Sequence, residues 1–226
     1  MAGRLNHEFI SKYRGNVHSQ NGEDGVLKEI LRRLNITSGY VCEFGAWDGV
    51  YLSNTFDLIQ RGFKSVLIEG DEEKFKDLEK LSATYATITP ICAYVDHIPG
   101  SETSLDNLLK KTDIPYDFDV LSIDIDSFDY QVWDSFKNYM PKIVVIEINS
   151  SIASSVPDHI HMPGKFEGTS FLPMMKLAEQ KGYSLVGHTG NLIFIRRDLY
   201  SIVNPEYVPS PPPRKLALKN GRMSYN

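Results

Sequence analysis

VCEFGAWDGVYLSNT, residues 41–55, decides how the rest of the chain is read. An apolar run from Tyr40 closes on Glu43 and Phe44, and then Gly45 and Gly49 bracket Trp47 and Asp48. A tight turn seldom needs both backbone freedom and charge. The pattern therefore predicts a strand over Tyr40–Phe44 whose exit holds a ligand, because glycines let backbone N–H groups approach a bound molecule closely. Ser53 or Asn54 then predicts the N-cap of a helix running to Gln60.

Outward from this turn, helices and strands alternate. Before it, residues 19–34 open with turn-formers and place Val26, Leu27, Ile30, Leu31 and Leu34 on one helical face. After it come a strand at 65–69, a charged helix within residues 71–82 and a strand at 86–92. Pro90 cannot donate to a ladder, so that third strand belongs at a sheet edge. Residues 119–124 and 141–148 give two more strands, separated by a helix around Tyr130–Tyr139. A helix at 170–182 follows, capped by Ser170 and stopped by Gly182. YSLVGH and NLIFIR then form a hairpin across Thr189-Gly190. Strands one, two, four and five are apolar runs ending on Glu43, Glu69, Asp124 and Glu147. Runs without alternation suit a parallel sheet covered on both faces, and the acids then gather on the rim where ligands bind in such sheets.

Composition narrows the class. Over 226 residues the chain is 42% apolar and 23% charged, which suits one soluble domain, residues 1–200 with an N-terminal helical segment. Residues 201–226, proline-rich and then basic, read as a surface tail. A net charge of −5 argues against nucleic acid as partner. No apolar run approaches the roughly 20 residues of a membrane span. The N-terminus lacks the apolar centre of a signal peptide, and Cys42 and Cys92 are too few for a disulfide framework. Both cysteines read as small core residues in a reducing, cytoplasmic setting.

Glu69, ending the strand beside the first, is placed to accept hydrogen bonds from the hydroxyls of a ribose. The G-x-G-x-x-G dinucleotide fingerprint is absent, since Trp47 stands where its second glycine would be. An adenosine without a pyrophosphate, such as S-adenosylmethionine, suffers less from that bulk.

EFGAWDG resembles the first motif of class I S-adenosylmethionine-dependent methyltransferases, and VLIEGD the second. With SQNGEDGVL, FDVLSIDIDSFDYQVW, IVVIEIN and GTSFLPMMKLAEQKGYSLVGHTGNLIFIRRDLY, the ensemble over residues 19–200 resembles the FkbM-type branch. That resemblance implies an α/β, Rossmann-like fold with helices on both faces of a mostly parallel seven-stranded sheet, order 3-2-1-4-5-7-6, strand 7 antiparallel. It further implies Glu43, Gly45 and Asp48 beside the methionine part of the cofactor and Glu69 on the ribose. Asp71 would assist near the adenosine, Cys92, Ala93 and Tyr94 would lie near the adenine, and Gln20 and Asn21 would cover the site. Without the resemblance, Gln20 and Asn21 read equally well as an exposed helix start.

Methyl transfer to a hydroxyl is an in-line displacement that also needs a proton removed, by a base or through a metal ion. Three features compete for this task. Asp124 and Asp126 share a side while extended backbone persists, as a base or as oxygen ligands for a cation; Asp126 or Ser127 could instead cap the next helix. Glu147 and Asn149 share a face at the end of strand five and, with Asp124, form a candidate Mg2+ site resembling that of catechol-type O-methyltransferases. The spacing differs, however, since acid and amide are adjacent in that family and one residue apart here. His159 and His161 alternate in a loop near the rim and offer a base that titrates near neutrality.

The leading expectation is an O-methyltransferase acting on a hydroxyl of a small polar acceptor. The FkbM-type resemblance implies a sugar, surface-polysaccharide or natural-product precursor, with residues 150–168 forming much of the acceptor pocket. One alternative is a nucleotide-sugar glycosyltransferase using Asp124-Ile125-Asp126 as a metal-binding D-x-D. Another is a non-catalytic binding domain of the same fold.

Overall fold

A computed structural model describes residues 7–152, 158–164 and 168–204. The elements in chain order are α1 (His7–Tyr13), α2 (Glu23–Arg33), β1 (Tyr40–Phe44), α3 (Phe56–Gln60), β2 (Lys64–Glu69), α4 (Glu72–Thr84) and β3 (Ile88–Cys92). They continue through α5 (Leu105–Leu109), β4 (Val120–Ile123), α6 (Asp129–Ser135), β5 (Ile143–Glu147), α7 (Phe171–Gln180), β6 (Tyr183–His188) and β7 (Asn191–Arg196). A short 3-10 turn then leads into α8 (Tyr200–Val203).

The seven strands form one sheet in the order β3-β2-β1-β4-β5-β7-β6. Strands β1 to β5 run parallel to one another, while β7 runs antiparallel to both β5 and β6. The order, the reversed last strand and the edge position of Pro90, opposite Leu67, all match the expectation from sequence.

Successive strand residues face opposite ways, and each face is sealed by its own helices. Val41, Leu67, Val120, Val145 and Ile193 pack with α1, α2, α3, Leu78 of α4 and Val203 of α8. Cys42, Ile68, Leu121, Ile146 and Phe194 pack with α5, α6 and α7, around the fully buried Trp133. Both faces being covered explains why the strands read as unbroken apolar runs.

Several local expectations shift. Helix α3 starts at Phe56 with Thr55 rather than Ser53 or Asn54 at the N-cap position; Ser53, two residues earlier, accepts the Thr55 and Phe56 N–H groups at 3.1 and 3.0 Å. Ser170 occupies the N-cap position of α7 as expected, but it gives no side-chain cap bond, because its hydroxyl is bonded to the backbone of His159. Cys42 is in the core, but Cys92 is exposed, since an edge strand has less to cover it. Val203 is buried, three positions beyond the expected domain end; the tail from residue 205 onward lies outside the described residues.

Candidate active site

Because β1, β2, β4 and β5 are parallel, their carboxyl ends share one rim, and a cavity of about 760 Å³ opens there. Glu43, Gly45, Trp47, Glu69, Ala93, Tyr94, Asp124, Asp126 and Glu147 line it, with Gln20 from the N-terminal segment. The acids that end four separate strands therefore do meet around one space.

Glu43 is buried and largely occupied by its own chain. Its Oε2 accepts the Ser53 and Thr55 hydroxyls at 2.6 and 2.7 Å, and its Oε1 the Asn54 N–H at 2.9 Å. The Ser122 hydroxyl on β4 adds a longer bond at 3.3 Å. Glu43 thus ties the entry of α3 to β1 and shapes the cavity floor. Glu69 accepts the N–H groups of Trp47 and Asp71, each at 2.8 Å and each on a different oxygen. A carboxylate has about four acceptor sites, so both oxygens keep capacity toward the cavity. Tyr94 lies flush against Gly70, the residue after Glu69: a Cβ on Gly70 would come within 2.3 Å of its ring.

The turn itself is conformationally unusual. Trp47, Leu52 and Asp126 all have left-handed backbone, φ 48°, 57° and 58°, and all three line the cavity. Non-glycine residues rarely adopt that region, and where they do the strain tends to mark functional sites. The ammonium of Lys74 sits 4.4 Å from the centre of the Trp47 ring, and Tyr51 meets the same ring edge-on at 5.5 Å.

On the opposite wall, Asp124, Asp126 and Glu147 each present a carboxylate oxygen within 4.8 Å of the others. Asp129, which the sequence reading did not single out, folds this corner by accepting the Ile125 and Ser127 N–H groups at 2.9 Å each. Neither Asp126 nor Ser127 caps α6; Phe128 occupies the N-cap position without a side-chain bond. Burial, reinforced by Asp129 and Asp126, pushes the Asp124 carboxyl up to about 7. Burial, reinforced by Asp124 and Asp126, pushes Glu147 up to about 9. A buried acid poised near neutrality can take a proton, and three clustered carboxylates can hold a hard cation.

Other expected residues lie outside the lining. Asp48 accepts the Val50 and Tyr51 N–H groups at 2.8 and 2.7 Å, and so closes the turn. Asp71 caps α4 through Glu73 and Lys74. Cys92 is on the edge strand, and Asn21 packs against Gly190. The Asn149 amide oxygen accepts the Ser151 N–H at 3.0 Å and Asn149 is outside the lining, while Asp126 joins Asp124 and Glu147 there. His159 is bonded through its backbone to Ser170, and the buried His161 ring packs edge-on against Phe128 at 4.8 Å. Much of the expected 150–168 loop, residues 153–157 and 165–167, lies outside the described residues.

No protein-family model matches the chain, and no curated protein sequence does. Solved structures do match in fold. The CurJ carbon methyltransferase covers 76% of this chain at 9% identity with a TM-score of 0.51, and this chain spans about half of it, 52%. The N-terminal domain of EvdMO1 with SAH bound is 11% identical over 82% of each chain, TM-score 0.49. An S-adenosylmethionine-dependent methyltransferase from Clostridium acetobutylicum ATCC 824 is 10% identical over 83% of this chain and 95% of that one, TM-score 0.48. Strand order, the reversed seventh strand and the CurJ likeness together assign the chain the Rossmann-like methyltransferase fold.

Proposed function

We propose that the protein is an S-adenosylmethionine-dependent O-methyltransferase acting on a hydroxyl of a small polar acceptor, a sugar or natural-product precursor. One observation carries this reading: Glu69 and Asp124, 55 positions apart in the sequence, line a single cavity at the ligand rim of this sheet. The residues fit the cofactor. Glu69 keeps acceptor sites for ribose hydroxyls, Ala93 and Tyr94 flank the place for an adenine, and Gly45 clears the floor for the amino-acid end. When bound, the cofactor supplies an electrophilic methyl on a sulfonium.

The chain's own contribution is alignment and proton removal. Holding the reacting atoms in line can supply roughly 7–11 kcal/mol in favourable cases. Asp124, raised toward neutrality by burial, is the residue suited to accept the acceptor's proton. His159 and His161 are outside the lining, which favours Asp124 over them as base.

The mutual approach of Asp124, Asp126 and Glu147 favours a second reading of the same wall as a Mg2+ site. Such an ion would acidify the acceptor hydroxyl. The nucleotide-sugar alternative also uses Asp124 and Asp126, but it leaves Glu69 and the Gly45 turn without a role. The acid-lined cavity favours small molecules over nucleic acid.

Calorimetry with S-adenosylhomocysteine and with UDP-sugars, each with and without magnesium, tests this. Micromolar binding of the former alone is expected; selective binding of UDP-sugars overturns the proposal.

A further inference from the structure

Residues 15–22 form a strap that brings Gln20 to the cavity lining, and two buried carboxylates hold it. Asp24 Oδ2 accepts the N–H groups of Val17, His18 and Ser19 and the Ser19 hydroxyl, all at 2.8 Å. Glu23 is fully buried; its Oε2 accepts the Asn21 N–H at 2.8 Å and its Oε1 the Thr189 hydroxyl at 2.6 Å. Thr189 stands in the turn between β6 and β7, so this bond reaches across 166 residues of sequence. The same turn approaches so closely that a Cβ on Gly190 would lie 2.2 Å from the Asn21 amide nitrogen.

The strap delivers two things to the cavity. Gln20 lines it directly, and Ser19 forms a backbone bridge with Leu52, one of the lining residues in left-handed backbone. Four donors on one carboxylate oxygen are more than a surface loop needs for order. Hydrogen bonds to a carboxylate are stronger than neutral ones, which favours a single placement of the strap.

We infer that Glu23, Asp24 and Thr189 are positioning residues that set ligand affinity by fixing Gln20 and Leu52 at the cavity. The inference rests on the cofactor reading above, and it adds a connection: the β6–β7 turn, outside the cavity lining, governs binding through Glu23. A purely structural clasp would change stability and leave affinity alone.

Thr189→Val removes the hydroxyl and keeps the shape, while Thr189→Ser restores a donor. Asp119→Ala serves as control, since Asp119 is buried at the far end of the sheet, where it accepts the Tyr40 N–H at 2.8 Å and the Lys142 ammonium at 3.0 Å. Binding of S-adenosylhomocysteine is measured by calorimetry below each variant's unfolding transition. Thr189→Val is expected to weaken it about tenfold, the scale of one lost hydrogen bond to a charged group. Thr189→Ser recovers wild-type affinity, and Asp119→Ala lowers the melting temperature with affinity unchanged. Wild-type affinity in Thr189→Val, or equal weakening in Asp119→Ala, overturns the positioning role alone. A wild-type protein that does not bind overturns the cofactor reading as well.

Discussion

Gly45 and Asp124 are in contact through their backbones: a Cβ built on Gly45 would lie 1.9 Å from the carbonyl oxygen of Asp124. The turn after β1 thus packs directly on the backbone after β4, with no room for a side chain between them. Gly45 also has φ 76°, a conformation that costs a side chain roughly 1–2 kcal/mol on its own. Gly45→Ala should therefore lower the melting temperature and remove detectable binding of S-adenosylhomocysteine, as read by circular dichroism and calorimetry. A variant that binds normally would show that the contact can relax.

Glu69 and Asp124 should separate binding from chemistry. Glu69→Ala removes acceptors from the ribose position and frees the Trp47 N–H, so cofactor affinity should fall about a hundredfold. Asp124→Asn keeps the shape of the wall but cannot take a proton, so turnover should fall at least about a hundredfold with affinity nearly kept. Calorimetry beside single-turnover kinetics measures both. Equal losses in binding for the two variants would defeat the division of roles.

Glu43 should prove a stability residue first. Glu43→Ala strands the Ser53 and Thr55 hydroxyls and the Asn54 N–H in a buried place, at a cost of about 3 kcal/mol. Urea unfolding should show a lower midpoint with an unchanged slope. A loss below about 1 kcal/mol would mean that water or a rearranged loop replaces the carboxylate.

The rim was legible in the sequence because β1, β2, β4 and β5 are buried on both faces. Their apolar runs announce where they stop, and an acid at each stop is conspicuous. Pro90 and the Thr189-Gly190 turn likewise advertise an edge and a reversal. Beyond the strand ends this logic fails. Asn149 was paired with Glu147 on the assumption that extended backbone continues, but β5 ends at Glu147 and the chain turns so that the amide closes on Ser151. Asp126 reaches the acid cluster by left-handed backbone, not by strand alternation. Lys74 and Asp129 look like ordinary solvated charges on helices, and only tertiary packing turns them toward the site. Asp48 and Asp71 show the converse: acids expected beside a cofactor that each commit Oδ1 to their own turn.

The acid wall should also write itself into the pH dependence of stability. Asp124 and Glu147 are raised by burial to about 7 and about 9, while unfolded carboxyls titrate near ~4. Between those limits the folded state binds more protons than the unfolded one, so stability must fall as pH rises. In chelator, the melting temperature should decline steadily from about pH 5 to pH 9, opposite in sign to the effect that an ion-paired acid such as Glu29, held down to about 2 by Arg32 and Arg33, has below about pH 5. Asp124→Asn removes one of the clustered charges and should flatten the decline. Magnesium at millimolar concentration should flatten it too if the wall holds a cation, because a bound divalent ion replaces the protons as counter-charge. Thermal melts across this range, with and without magnesium, read all of these. A slope that Asp124→Asn leaves intact would place the proton uptake elsewhere, and a slope that magnesium leaves intact would favour Asp124 acting as a base without a metal.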